Sequence, residues 1–532
     1  MDTTESTPSG GHELFIRSST GLVRDLSAFD AFNLVFSAVL IPVGITQVMG
    51  FTPQFWPHAN MLVSFLIATP LVLCFGLVYL YFTLLMPRSG GDYVWLSRTV
   101  HPMVGFVVNV SITFVFMTWI SFNFTFMLRT MGPAAAYVLG SSSQWLTSPS
   151  NNQVMLVATV LTALFALLML AGVRTVSRYM AATFLIVWAG MLVWLFGLAA
   201  TSQSEFESRW NGVSGSTVDA IVRTSHQIGF SAAGGLAWGA TLFAMVYCFQ
   251  VYTGFQWTGY FAGEIRNARR TAVTSILGGL LASAVIYMLA SALIYHAYST
   301  SFFGSLVFLG LGGGTDHYHL AFSPYLPAMA NFLDIPSVLR DFVAIAFVLA
   351  ILWWTPTGFM LGTRNLFAWS FDRLMPAKFT EVSDATHTPV IATLVIALFV
   401  ELLNYLNIYQ NLAAYLLNLI AVLGVAFIVV SLAATALPWT RPQMVASGPA
   451  LAGRRVVGVP LISIVALVSA VAWAFVVWTA FHTGFGGTLS WKPMIQAFVP
   501  TMIAIVWYLG VVAYRRSQGI SLARTFREIP PE

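Results

Sequence analysis

Residues 237–275 read AWGATLFAMVYCFQVYTGFQWTGYFAGEIRNARRTAVTS. The segment begins as an apolar helix of membrane-crossing character. It meets Gly254 near its middle, between Tyr252, Thr253, Phe255 and Gln256, and closes on Glu264 followed by Arg266, Arg269 and Arg270. A glycine among polar side chains at mid-span frees backbone groups that lipid cannot satisfy, so such interruptions survive only inside a protein or beside a cavity. Secondary carriers bind small solutes at breaks of this kind. The competing reading is an unbroken helix with one packing glycine, a common feature of membrane helices. The local pattern leaves both open.

Composition narrows the class. The chain has 532 residues, of which 58% are hydrophobic and 8% charged, and its mean hydropathy is +0.80. Soluble domains carry roughly 25% charged residues. Outer-membrane barrels alternate apolar and polar residues, whereas the apolar runs here are continuous over about 20 residues. An all-α membrane protein is the class that fits. Cys74 and Cys248 both lie in apolar runs, which leaves neither a disulfide framework nor a cysteine metal motif. No HExxH pattern and no nucleotide-binding loop occurs, so the expectation is no enzyme, no cofactor and no metal centre.

Windows long enough to cross a ~30 Å hydrocarbon core number twelve. They fall near 27–50, 61–86, 99–127, 153–171, 177–200, 237–262, 272–298, 337–368, 389–407, 411–437, 460–482 and 495–514. Residues 1–26 read as a cytoplasmic tail, 27–514 as a single twelve-span domain, and 515–532 as a second cytoplasmic tail. Alternating the spans from a cytoplasmic start leaves only Arg129, Arg209, Arg223, Arg340 and Lys492 outside, and nineteen of the 24 Lys and Arg inside. That asymmetry puts both termini in the cytoplasm of a multi-pass plasma-membrane protein. It also turns the net charge of +5 into a topology signal, so no nucleic acid is expected as a partner. The long outer segments 201–236 and 299–336 read equally as short surface helices over the outer mouth or as plain loops.

Four motifs, in order, resemble the amino acid-polyamine-organocation (APC) transporter superfamily. The broken stretch resembles its sixth span, with Gly254-Phe255-Gln256 at the turn and Ala262-Gly263-Glu264-Ile265-Arg266-Asn267 at the end, Ala268 replacing the usual proline. Met86-Pro87-Arg88-Ser89-Gly90-Gly91-Asp92-Tyr93 is similar to the Pro-x-x-Gly-Gly-x-Tyr signature after span 2. Gly362-Thr363-Arg364-Asn365 through Asp372-Arg373-Leu374-Met375-Pro376 resembles the segment after span 8, and His387-Thr388-Pro389-Val390 stands where the family has Gly-Thr-Pro.

The resemblance implies two inverted five-helix repeats, about 27–200 and 237–437, with two extra spans over 460–514. Spans 1 and 6 would be unwound and face each other across the substrate. The span 1 break is then expected at Ile41-Pro42-Val43-Gly44-Ile45, with Pro42 where a glycine is usual. Helix N-termini at a break suit a carboxylate, and opposed carbonyl ends suit an ammonium. The expected substrate-binding residues are therefore Pro42, Val43, Gly44, Ile45, Tyr252, Thr253, Gly254 and Phe255, with Phe249, Asp30 and Glu264 as gating residues. Asp25 and Arg24 join Asp30 and Glu264 in the expected inner network, and of Trp353 and Trp354 only one can face the pathway.

The implied function is a permease moving a small neutral amino acid by alternating access, with proton coupling, sodium coupling or exchange left open. Val187 stands near the span 5 position where some relatives carry a lysine. A sodium site would need Thr355 or Thr357 to face span 1. Polyamine or organic-cation transport, with Glu401 or Asp341 as counter-charge, and a non-transporting solute sensor are the alternatives.

Overall fold

In the computed structural model, which describes residues 24–230, 236–412, 416–446, 448, 454–483, 491–519, 522 and 526, span 6 is interrupted at Gly254. The tail residues 1–23, with Arg17, and the positions of Arg524 and Arg527 lie outside the described residues. Trp238–Tyr252 is helical, Thr253 turns extended at ψ 135°, and Gly254 takes φ 126° before short turns resume over Phe255–Phe261. A side chain rarely tolerates that φ, which is why the break falls on the glycine.

Span 1 is broken too, one residue ahead of the expected stretch. Helices Ala28–Val39 and Ile41–Phe55 meet at Leu40, which is left-handed at φ 49° and ψ 52°. Pro42 belongs to the first turn of the second half, where a missing N–H costs nothing and the fixed φ suits the helix. The Val43 and Gly44 N–H groups both donate to the Leu40 carbonyl, at 3.1 and 2.9 Å. Holding a leucine in this conformation costs about 1–2 kcal/mol, which the surrounding packing must offset.

Among the described residues eleven helices are long and apolar enough to cross a membrane. Span 6 is absent from that number because its break leaves a helical piece of 15 residues. The remaining spans are span 2 Met61–Leu85, span 3 Pro102–Val138, span 4 Asn151–Leu170, span 5 Val173–Ala200, span 7 Ala268–Tyr298 and span 8 Ser337–Phe371. Span 9 Val390–Gln410, span 10 Leu416–Thr440, span 11 Leu461–Thr483 and span 12 Trp491–Ser517 complete the set. The result is the all-α, APC-type architecture, with a two-stranded hairpin, Arg455–Val456 against Val459–Pro460, between spans 10 and 11.

Local chemistry fixes the helix ends. Ser27 accepts from the Asp30 N–H while the Asp30 carboxylate accepts from the Ser27 N–H at 2.9 Å, a reciprocal cap that starts span 1. Spans cross closely through small residues: a Cβ on Gly190 of span 5 would lie 2.2 Å from Ala346 of span 8. Span 8 has 35 residues, roughly 52 Å of helix, so its last turns stand beyond a ~30 Å core. The two readings of the long outer segments resolve as helices, Gln203–Val213, Val218–Gln227, Thr300–Leu311 and Leu326–Met329, while 231–235 lies outside the described residues.

Candidate functional site

The two breaks face each other. Between them lies a small cavity, lined by Ala38, Val39, Leu40, Val43, Gly44 and Gln47 of span 1 and by Gln250, Val251 and Thr253 of span 6. Span 3 adds Phe116, Trp119, Phe122 and Asn123, and span 8 adds Trp354. No lining residue carries a formal charge. Polar capacity comes instead from amides and helix ends, the arrangement that holds a zwitterion in a low-dielectric site without a buried ion.

Tyr287 of span 7 stands at the joint. Its hydroxyl lies 3.2 Å from the Val39 carbonyl and 3.3 Å from the Val251 carbonyl, the ends of the first halves of spans 1 and 6. A Cβ on Gly44 would come within 2.3 Å of that hydroxyl, so the glycine makes room for the tyrosine. At the opposite helix end, the Gly254 N–H donates to Oε1 of its own neighbour Gln256 at 2.8 Å. Gln250 Oε1 and Trp119 Nε1 are buried without a partner, and both residues line the cavity.

The expected site residues divide. Val43, Gly44 and Thr253 line the cavity, and Gly254 forms the break beside it. Pro42 and Ile45 are buried in the span 1 half-helix. Tyr252 and Phe255 turn toward span 2, where the Tyr252 hydroxyl bonds Thr69 at 2.9 Å and the Phe255 ring meets Phe75 edge-on. Phe249 packs edge-on against Trp473 of span 11. Trp354 faces the cavity, while the Trp353 Nε1–H donates to Asn33 at 2.9 Å. Thr355 bonds its own helix at Ile351, and the Thr357 hydroxyl meets Ser37 of span 1 at 2.8 Å. Glu401 is bonded by Thr159 and by Asn404, away from the cavity.

On the face carrying the arginine-rich ends, three ties join spans 1, 5, 6 and 8. Arg364 of span 8 grips Glu264 with two bonds of 2.7 Å, each side chain 1% exposed. The backbone before span 1 pairs with the end of span 6: Leu26 N–H donates to Glu264 at 3.0 Å, and Arg266 N–H donates to Leu26 at 3.1 Å. Asp25 reaches Arg174 at 2.9 Å and Arg266 at 3.4 Å, and Asp30 bonds Ser177 of span 5. The expected inner residues thus lie together, with Arg364 as the ion-pair partner of Glu264.

The outermost tie is weak. Arg174 and Arg266 are 77% and 62% exposed in their side chains, and an exposed pair contributes about 0–1 kcal/mol. The Arg174 guanidinium holds the Asp25 carboxyl below its ordinary 3.8. A depressed acid stabilises above the unfolded pKa and loses that contribution as pH falls through the folded one, here below about 4. Asp25→Asn is therefore expected to lower the melting temperature of detergent-solubilised protein only slightly at pH 7, and by less at pH 3. A loss of many degrees at pH 7 would mean that Asp25 does more than these contacts provide.

Sequence reasoning missed Gln47, Trp119, Phe122, Asn123, Gln250 and Tyr287. Lone amides in apolar runs, Gln250 in FQV and Asn123 in FNF, were the available signal. A sequence profile of the family described as Amino acid permease matches residues 26–513. No curated protein matches the chain.

Proposed function

The chain belongs to the amino acid permease family of the APC superfamily, and from that premise we propose that it carries a small neutral amino acid across the plasma membrane by alternating access. The observation that carries the substrate reading is the uncharged lining of the cavity between the two breaks. The substrate carboxylate takes the N–H groups at the second half of span 6, where the Gln256 amide oxygen now occupies the Gly254 N–H. The ammonium takes the carbonyls of Val39 and Val251, which Tyr287 now holds. The side chain lies among Phe116, Phe122 and Trp354, with Gln250 and Asn123 at hand for a hydroxyl or amide.

A polyamine would bring two or more positive charges to a cavity with no carboxylate in its lining, which desolvation penalises heavily. Both termini face the cytoplasm in this reading, because the arginine-rich span ends then lie inside. Alternating access follows from the three ties on that face, which must part for the cavity to open inward.

The test uses purified protein in liposomes and a panel of labelled amino acids and putrescine, run with an imposed proton gradient, a sodium gradient or unlabelled amino acid inside. Saturable uptake of neutral amino acids, unaffected by excess putrescine, is the expected result. Uptake of putrescine alone would overturn the substrate reading, and binding without any uptake would make the protein a sensor.

A further inference from the structure

Among the described residues three carboxyls are fully buried: Asp92, Glu264 and Asp372. Two of them hold an arginine. Glu264 grips Arg364, and Asp372 grips Arg98 at 2.6 and 2.8 Å. The third does not. Asp92, at the start of the helix Asp92–Thr99 between spans 2 and 3, forms no ion pair, and each of its side-chain partners is neutral.

Those partners come from three spans. Asn109 of span 3 gives its Nδ2–H to Oδ1 at 2.5 Å, and its orientation is fixed because its own Oδ1 accepts from Trp369 of span 8 at 2.7 Å. Tyr79 of span 2 gives its hydroxyl to Oδ2 at 3.0 Å, and the Tyr260 hydroxyl, from beyond the break in span 6, reaches the same oxygen. Arg98 and Tyr93 on the same short helix both bond Asp372. The titratable groups in contact with the Asp92 carboxyl are thus the two tyrosines.

We propose that Asp92 is a proton-binding site whose affinity is set by the Tyr260 hydroxyl, and thereby by the tilt of the second half of span 6. A buried carboxylate without a cation takes up a proton in preference to remaining charged. The helix N-terminus opposes this by favouring the anion, but burial outweighs it and lifts the carboxyl from 3.8 to about 6. Both tyrosines can reverse roles: once Asp92 is protonated, its O–H donates to a hydroxyl that previously donated to it.

The linkage has a definite sign. Tyr260 stands six residues past Gly254, on the piece of span 6 beyond the break. While the carboxyl stays buried, moving that hydroxyl away removes a donor from the carboxylate and raises proton affinity, so a proton enters as the hydroxyl withdraws and leaves as it returns. Reciprocally, protonation favours the withdrawn state. The transport consequence, uptake driven by a proton gradient, rests on the carrier reading above. The protonation itself does not.

Infrared spectra of the wild-type protein in lipid, titrated without substrate, test the site directly. A protonated-carboxyl C=O band that disappears with a midpoint near pH 6 is expected, absent in D92N and moved upward by about 1 pH unit in Y260F. If D92N fails to fold, the Y260F shift still decides, since a carboxyl elsewhere does not respond to that hydroxyl. A band that D92N leaves in place, or that Y260F leaves unmoved, overturns the proposal. In liposomes, uptake by the wild-type protein is expected to vary with pH around the midpoint of that band, and uptake by D92N is expected not to. A titrating Asp92 in a protein that moves no solute would sink the carrier reading alone, and uptake with no such band would sink this one alone.

Discussion

Replacing Gly254 by alanine is expected to cut uptake at least about tenfold and to lower the melting temperature in detergent. A Cβ there would lie 2.5 Å from the backbone carbon and oxygen of Ala38 and 2.8 Å from the Ala38 Cβ. Two of those atoms are backbone and cannot rotate aside. The φ of 126° adds strain of about 1–3 kcal/mol, and overpacking adds about 1–3 kcal/mol. Relief requires moving span 1 away from span 6 at the joint that frames the cavity, and 1.4 kcal/mol of misfit corresponds to about a tenfold loss. Gly279→Ala is the control, because its Cβ would meet only Val35, at an ordinary 3.5 Å. Liposome uptake at matched protein amounts decides: activity of Gly254→Ala within twofold of wild type would remove the close approach of spans 1 and 6 from the account.

The second large effect concerns Arg364 and Glu264. Both are buried, and two bonds of 2.7 Å join them. Removing one partner leaves the other charge uncompensated in the interior, which costs about 3–5 kcal/mol. Glu264→Leu and Arg364→Met are each expected to fail to reach the membrane in quantity or to melt many degrees lower. Replacing both together, Glu264→Leu with Arg364→Met, removes the charges as well as the pair and is expected to recover most of the stability. It does not restore the tie between spans 6 and 8, so uptake in the recovered double variant should differ from wild type. Thermal melting of all three variants gives the coupling energy directly. Additive single effects would show that the two side chains do not act as a unit.

What could be read in the chain beforehand follows from where chemistry leaves a mark. Gly254 was legible as one of two readings, because a glycine among polar side chains at mid-span suits either a break or a close packing contact. The break in span 1 was legible as to its neighbourhood but not its residue. Nothing marks Leu40 as left-handed, and within the expected stretch 41–45 Gly44 instead admits the Tyr287 hydroxyl. Asp92 and Arg364 sat inside recognised motifs, yet their burial was hidden. Asp92 lies between spans, and the window 337–368 reaches past Arg364 without showing that its side chain turns inward against Glu264. Tyr287, in SAVIYMLAS, is one aromatic among apolar neighbours, and only the meeting of two breaks three-dimensionally gives it a role.

That tyrosine has one further consequence. Its hydroxyl owns a single hydrogen, and two carbonyls stand at nearly equal distance, one from each interrupted helix. Shared between them it bonds neither at full strength, so the two acceptors compete for one atom, and both carbonyls keep acceptor capacity at the joint. A cationic group settling on either carbonyl would release the hydrogen to the other. Span 1 and span 6 are thereby made to count the same guest once.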